Sequence, residues 1–192
     1  MVTSASHISN AHLYKNLPSD ALNDFIGITP LTVQTGILIV HPSLPVKTVK
    51  ELIALAKAKP NQILYGSSGS GSYLHLTMAH FNAMTGTKMT HVPYKGGDAA
   101  GVGVAAGELQ AMVASMPIVR PHMAGNRIRV IAVTSESRMK QLPDIPTIAE
   151  AGVPGYEFTA WVAAFVPANT PRPIVDRLGA EIKKTVDHPD GV

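Results

Sequence analysis

Apolar residues recur along the chain in two alternating spacings. Short continuous apolar runs, such as Gly36 to Val40, are typical of buried strands. Apolar residues at helical intervals, as in Val46 to Lys59, are typical of helices. The pattern predicts strands at 36–41, 63–65, 88–92, 108–114, 128–134 and 158–166, and helices at 46–59, around 74–81, at 98–106, at 117–124 and from 171 to 186.

Four or five consecutive strand-helix repeats predict an α/β fold. Such alternation gives a mostly parallel sheet with right-handed crossovers and helices on both faces. The repeats stop at 135–155, where prolines and glycines indicate an ordered excursion over the surface. The flanks 1–35 and 156–192 contain no complete repeat. We therefore expect them to form part of a second lobe, with 36–41 and 158–166 crossing between the lobes.

The composition excludes several classes of protein. Of the 192 residues 45% are apolar and 15% charged, and no apolar run approaches the ~20 residues of a membrane-spanning helix. Without cysteine there is no disulfide, thiolate metal site or cysteine nucleophile. The net charge of +3 is spread without a basic cluster, so nucleic acid is not expected as a partner. The first ten residues do not resemble a signal peptide.

The most informative local feature is residues 66–72, Gly-Ser-Ser-Gly-Ser-Gly-Ser, which we call the Gly/Ser loop. It lies between a predicted strand and a predicted helix. Glycines allow positive φ, successive amides can converge on an anion, and the helix that follows presents unpaired N–H groups. The serine hydroxyls add hydrogen-bond donors. The loop therefore predicts an anion site.

The spacing within this loop selects among anions. It fits the first half of the phosphate-binding pattern G-x-x-x-x-G-K-[ST], but Ser72 stands where that pattern needs lysine. The dinucleotide pattern G-x-G-x-x-G also fails, because the glycines fall as G-x-x-G-x-G. A carboxylate or small oxyanion fits better. The alternative is that the serines only cap the helix and the glycines only turn the chain.

Other candidate residues carry weaker signals. His75 and His80 are five residues apart, so they diverge around a helix instead of sharing one face as zinc ligands do, and no metal is expected. The serines have no G-x-S-x-G context, which disfavours hydrolysis. Lys95, in a turn after a predicted strand, could add positive potential or be a solvated surface residue. Trp161 could cover a cleft or be part of the core.

An ordered set of short motifs runs through nearly the whole chain. They are Asn10 with Leu13-Tyr14-Lys15 and Leu17-Pro18; Pro42 to Pro45 with Lys50-Glu51-Leu52; Gly69, Gly71-Ser72 and His75-Leu76; His91 to Gly96; Leu142-Pro143-Asp144 with Pro146-Thr147; Glu150-Ala151-Gly152; Pro154-Gly155-Tyr156; Trp161; and Thr170-Pro171. No single motif is diagnostic, but together they are specific. The chain resembles the extracytoplasmic solute receptors of tripartite tricarboxylate transporters, the Bug or TctC-like family.

The resemblance implies a type II periplasmic binding protein-like fold that closes over a small organic carboxylate. It implies a partial first lobe at 1–39, a second α/β lobe at 40–134, and a crossing strand and C-terminal helix at 135–192 that return to the first lobe. It also implies a monomeric periplasmic receptor without catalysis, cofactor or metal, whose full-length relatives deliver ligand to membrane transporter subunits. The expected ligand-binding residues are Ser67, Ser68, Gly69, Ser70, Gly71, Ser72, His75, Tyr94, Lys95, Gly96, Ser115 and Trp161.

Two departures from the family pattern affect this expectation. The family's proline/glycine loop near the mature N-terminus has no equivalent, and the chain is expected to be truncated at both ends. Family members that accept amino acids carry an acid where this chain has Ala114 and Ser115, which predicts a ligand without a free amine. The competing interpretations are an enzyme that binds a phosphate ester through the Gly/Ser loop, and a folded fragment that retains no ligand binding.

Overall fold

The structure, a computed structural model, describes residues 1–4, 7–8, 11, 15 and 17–188. The motif residues Asn10, Leu13 and Tyr14 lie outside these. The chain divides into unit 1, Met1–Gln34 with Ala160–Val192, and unit 2, Thr35–Thr159. None of the described helices is both long and apolar enough to cross a membrane.

Eight strands and five helices are described here; six strands and all five helices match the predicted alternation, whereas the two strands before residue 36 were not predicted. The strands are β1 Val2–Ser4, β2 Phe25–Thr35, β3 Ile37–Val40, β4 Leu64–Ser67, β5 Thr90–Pro93, β6 Ala111–Ala114, β7 Arg129–Val133 and β8 Thr159–Pro167. The helices are α1 Val49–Ala58, α2 Tyr73–Thr85, α3 Gly97–Ala106, α4 Met116–Met123 and α5 Arg172–Val186. The α/β fold class is confirmed.

Unit 2 is built on a five-stranded sheet in the order β5-β4-β6-β3-β7. Strand β4 runs parallel to β5 and β6, whereas β3 runs antiparallel to both β6 and β7. Four strands therefore share one direction, as a mostly parallel sheet requires, and β3 opposes them. The expectation that 36–41 crosses between lobes is wrong, because β3 lies inside this sheet with all four residues fully buried.

Local sequence signals set where the helices begin and end. Thr48 and Glu51 form a reciprocal capping box, so α1 begins at Val49, three residues later than the apolar pattern predicts. Ser72 caps α2 by accepting a hydrogen bond from the His75 N–H, and Gly86 ends the helix in the left-handed conformation at φ 65°. These caps satisfy backbone groups that the helix itself leaves unpaired.

A hydrogen-bonded junction ties together three separated segments of unit 2. The fully buried hydroxyl of Thr134 accepts the Gly36 N–H at 2.8 Å, and the main chain of Thr134 bonds the Gly36 carbonyl and the Phe158 N–H, each at 2.9 Å. The hydroxyl of Tyr73, the first residue of α2, donates to the Phe158 carbonyl at 3.1 Å. The segments that enter and leave unit 2 are thus bonded to the same residue.

Unit 1 contains the three-stranded sheet β1-β8-β2 and helix α5. Strand β1 pairs antiparallel with β8, and Val175 is buried on α5. The division between units falls at 34/35 and 159/160, whereas the sequence places the lobe boundaries at 39/40 and 134/135. The difference arises because β3 joins the unit 2 sheet, and because residues 135–159 pack on that sheet, with Ile148 and Tyr156 buried in its core.

Replacing Thr134 with valine should test the junction. The Thr134→Val side chain keeps the shape but removes the acceptor, which leaves the buried Gly36 N–H unpaired at a cost of about 1–3 kcal/mol. Urea denaturation should show that loss in the free energy of unfolding. The control is Thr90→Val, whose hydroxyl donates to the Asn61 carbonyl near the surface and whose loss should cost roughly 0.5 kcal/mol. Equal effects would contradict the role of Thr134.

Candidate functional site

One edge of the unit 2 sheet collects the loops that the sequence singles out. Because β4, β5 and β6 point the same way, their carboxyl ends meet there, and so do the Gly/Ser loop after β4, the turn 94–96 after β5 and Ser115 after β6. The register Ile37 with Ala114 and with Val133 brings the amino end of β3 to the same edge. We call this the carboxyl edge, where ligands of open α/β sheets bind.

Three helices start at the carboxyl edge, and their first turns touch. A Cβ placed on Gly97, the first residue of α3, would lie 3.2 Å from Leu74 Cδ1 of α2 and 2.7 Å from Ile118 Cδ1 of α4. The side-chain ends of Leu74 and Ile118 therefore pack directly against Gly97. Each helix directs unpaired N–H groups and the positive end of its dipole toward its start, so the edge favours anions.

The Gly/Ser loop is held by bonds within itself and to its neighbours. The Gly69 N–H donates to Ser67 Oγ at 3.1 Å, the Gly71 N–H to His75 Nδ1 at 3.1 Å, and the Ser72 N–H to the Gly69 carbonyl at 3.3 Å. Gly69 and Gly71 have φ of 117° and 77°, which only glycine adopts readily. The loop thus needs its glycines. Three of its N–H groups already donate to other groups of the protein and are not available to a ligand.

Ser68 and Ser70 carry the loop's available donors. In the described part of the chain, neither their main-chain N–H groups nor their hydroxyls have a hydrogen-bond partner. Ser70 is exposed at the apex between the two positive-φ glycines, and Ser68 is half-buried. The anion-binding surface of this loop is therefore smaller than the full run of amides predicted from the sequence, and centres on Ser70.

Two imidazoles lie beneath the loop. The rings of His75 and His91 stack with centroids 4.0 Å apart, and His91 also stacks on Tyr65 at 5.1 Å. His91 Nε2 lies 2.6 Å from Ser67 Oγ. The sequence does not predict a site role for His91, although this residue begins the motif His91 to Gly96. The place of His91 follows from the register of β4 with β5, which pairs Tyr65 with His91 and which the sequence does not reveal.

Burial keeps both imidazoles neutral near pH 7. It lowers the pKa of His75 and of His91 below the ordinary 6.5, and for His91 the neighbouring His75 lowers the pKa further. Among the described residues, no carboxylate opposes these shifts. The exposed charges nearby on the chain are Lys95 and, in the first turn of α3, Asp98. Because these two charges are opposite in sign, they largely cancel. The attraction of the edge for an anion then comes mainly from N–H groups, hydroxyls and helix N-termini.

The turn after β5, residues 94–96, contributes main-chain groups more than side chains to the carboxyl edge. The Tyr94 N–H donates to the Ser67 carbonyl at 3.0 Å, but its hydroxyl donates to Glu108 Oε2 at 3.1 Å, beyond the far end of α3. Lys95 is exposed and makes no ion pair within the described residues. Gly96, at φ 129°, precedes α3 without a side-chain cap. The Tyr94 hydroxyl is therefore bonded away from the carboxyl edge, where Lys95 and Gly96 lie, and ligand contact by these three residues remains a prediction.

The last two predicted residues lie on different units. Ser115 caps α4 with its main chain, and its hydroxyl makes no capping bond, so the hydroxyl stands at the carboxyl edge. Trp161 belongs to β8 in unit 1, where its ring lies 6.2 Å from Phe165 and lines an apolar groove of about 380 Å³. Trp161 remains a prediction for ligand contact.

The groove described in unit 2 with the largest volume lies away from the candidate site. A groove of about 510 Å³ in unit 2 is lined by Pro42, which follows β3, and by Arg129, which starts β7. Both positions lie at the sheet edge opposite the Gly/Ser loop. Across the described residues, no group of three or more His, Asp or Glu side chains could hold a metal ion.

Comparison with known proteins agrees with this arrangement. The model of the family described as the tripartite tricarboxylate transporter family receptor matches residues 1–192. The chain belongs to this receptor family. A UPF0065 protein in the tcbD-tcbE intergenic region of Pseudomonas sp. strain P51 is 33% identical over the whole chain and 57% of its own length, and BugT of Bordetella pertussis is 29% identical over 91% of the chain and 53% of its own length.

Solved structures of the receptor family show the same fold. Rpa4515 of R. palustris with adipate is 34% identical with a TM-score of 0.88, over 99% of the chain and 64% of that protein. MatC of Rhodopseudomonas palustris with bound malate is 25% identical with a TM-score of 0.86, over the same shares. The chain thus spans a little over half the length of its curated relatives. The family is one of receptors, which favours solute binding over an enzyme.

The two half-buried imidazoles predict how stability depends on pH. Above pH 6.5 both folded and unfolded states are neutral at these groups, whereas below it the unfolded chain takes up protons that the folded state resists. The free energy of unfolding should therefore fall as pH drops below 6.5. Urea denaturation from about pH 8 to about pH 5 should show a shallower fall in the double variant His75→Asn, His91→Gln. Parallel profiles would contradict the assignment.

Proposed function

We propose that this chain carries the carboxylate-binding part of a periplasmic solute receptor. The Gly/Ser loop takes one carboxylate of a small organic acid through the N–H and hydroxyl groups of Ser70 and Ser68, with Ser115 as a neighbouring donor. The observation that carries the proposal is that two family structures with TM-scores of 0.88 and 0.86 hold the dicarboxylates adipate and malate.

The physical chemistry of the carboxyl edge supports this assignment. A carboxylate accepts several hydrogen bonds, each worth about 1.5–3 kcal/mol when the acceptor is charged. Micromolar affinity needs about 8 kcal/mol. The four donors of Ser68 and Ser70 must also offset the translational and rotational freedom lost on association, so a receptor that binds tightly also needs groups outside the loop. A second carboxylate at the other end of the ligand would engage such groups.

The ligand proposed is a dicarboxylate without a free amine. β6 ends at the buried Ala114, and Ser115 follows with a neutral hydroxyl, so no acid stands where family members that accept amino acids carry one. An ammonium group at that position would lose its water without gaining an ionic partner, which is costly.

The setting proposed for the complete protein is the periplasm. There it would capture its ligand and deliver it to the membrane subunits of a tripartite tricarboxylate transporter, as the family description implies. An enzyme acting on a phosphate ester is the weaker alternative, since the loop lacks the lysine of phosphate-binding loops.

Calorimetry with matched ligands tests the ligand class. Malate and aspartate differ only in a hydroxyl against an ammonium, so malate should bind at least roughly tenfold more tightly if no acid meets the amine. Adipate should bind and its dimethyl ester should not, because the ester removes the charge. Tighter binding of aspartate than of malate would refute the amine argument. No heat or thermal shift with either dicarboxylate would favour a fragment without ligand binding.

Replacing Gly71 with valine tests the loop. At φ 77° a β-branched residue strains the backbone by roughly 1–3 kcal/mol, so Gly71→Val should distort the loop and weaken adipate or malate binding at least tenfold. The control is Gly86→Val at the other end of α2, where φ is 65° and nothing lies within 4 Å of an added Cβ. It should show comparable strain in urea denaturation and keep wild-type affinity. Unchanged affinity in Gly71→Val would remove the loop from the site.

A further inference from the structure

Two of the hydrogen bonds that hold the Gly/Ser loop lead to an imidazole, one on each side of Ser70. Gly71 is bonded through its N–H to His75 Nδ1 at 3.1 Å. Gly69 is bonded through Ser67 Oγ, which lies 2.6 Å from His91 Nε2. Ser70, the residue between the two attachment points, has no partner among the residues described. The loop is thus fixed on either side of its available donor.

The bond from Gly71 defines the tautomer of His75. His75 Nδ1 accepts the Gly71 N–H, so the proton of the neutral ring is on Nε2. Ser67 Oγ lies 2.6 Å from His91 Nε2 and 3.0 Å from the Gly69 carbonyl, and its one proton can go to either. In both cases the fully buried Ser67 hydroxyl accepts the Gly69 N–H and is hydrogen-bonded to His91.

Stacking holds the two rings in these orientations. The His75 and His91 rings are inclined by 30° with centroids 4.0 Å apart, and the Tyr65 ring stacks on both, at 6.4 Å from His75 and 5.1 Å from His91. The three aromatic side chains come from β4, α2 and β5. Each imidazole therefore contacts the loop on one side and a ring on the other.

We propose that His75 and His91 are positioning residues that hold the Gly/Ser loop in its anion-binding conformation, with the Ser70 N–H left as its principal donor. The inference rests on the proposed function and reassigns His75, which the sequence places among the ligand-contacting residues. A loop fixed before the ligand arrives does not pay an ordering cost on binding, so the pair raises affinity without touching the ligand.

Two substitutions at residue 75 separate the acceptor from the ring. His75→Asn places an amide oxygen near the position of Nδ1 and keeps the acceptor without the ring. His75→Phe keeps a stacking ring and removes the acceptor. Calorimetry with adipate and malate should show roughly tenfold weaker binding for His75→Phe and nearly wild-type binding for His75→Asn. The control is His80→Phe, the same change five residues along α2, where the ring packs on Tyr156 and Phe158.

The outcomes distinguish the inference from the proposed function. Wild-type affinity in His75→Phe, or an equal loss in His75→Asn and His75→Phe, would overturn the positioning role. If the wild-type protein binds neither dicarboxylate, the proposed function fails, and amide hydrogen exchange then tests the loop attachment without any ligand. Exchange of the Gly71 amide should be slow in the wild type and in His75→Asn and fast in His75→Phe. Fast exchange in the wild type, equal to that of Ser70, would also overturn it.

A matched pair of variants at His91 tests the second attachment, which runs from the Gly69 N–H through Ser67 Oγ to His91. His91→Gln keeps an amide that can hydrogen-bond near the position of Nε2, whereas His91→Phe removes this partner of Ser67 Oγ. Exchange of the Gly69 amide should rise in His91→Phe and stay slow in His91→Gln. Equal exchange in the two variants would exclude His91 from holding the loop.

Discussion

Backbone pairing along both sides of β3 is the constraint on which unit 2 depends. This fully buried strand bonds to β6 on one side and β7 on the other, and it runs against both. The direction of the remaining strands then follows, and their carboxyl ends meet at a single edge. Because buried backbone groups must be paired, a shift of β3 by one residue would break two ladders at once. The strand pairing of the sheet therefore fixes the position of the Gly/Ser loop, independently of the side chains of the loop itself.

The chemistry of the carboxyl edge depends on neutral donors. Lys95 and Asp98 oppose one another in sign, and burial keeps His75 and His91 uncharged near neutral pH, so the attraction for an anion comes from amides, hydroxyls and helix termini. Neutral dipoles of this kind cost less to desolvate when a ligand binds than charged side chains would. A receptor that must release its ligand benefits from such a surface, because a buried ion pair would be harder to separate.

Sequence patterns predicted the elements well and their contacts less well. Periodicity located strands such as Ile37–Val40 and helices such as α1, because each has its own local spacing. It could not give the direction of β3, which depends on pairing partners seventy or more residues away. The Gly/Ser loop was predicted from residue types alone, but the bond from Gly71 to His75 and the place of His91 depend on tertiary register. The hydrogen bond from the Tyr94 hydroxyl to Glu108 also depends on tertiary structure, so no sequence pattern predicts it.

The junction at Thr134 also has a consequence for chain connectivity. Gly36 and Phe158 are both hydrogen-bonded to Thr134, so the two ends of the Thr35–Thr159 segment lie side by side. A module whose ends adjoin can be inserted into another chain, or have its ends joined by a short linker and be reopened elsewhere. The exposed turn at Asn61 and Gln62, between α1 and β4, is a natural place for new termini. A circularly permuted unit 2 would keep every strand pairing of its sheet.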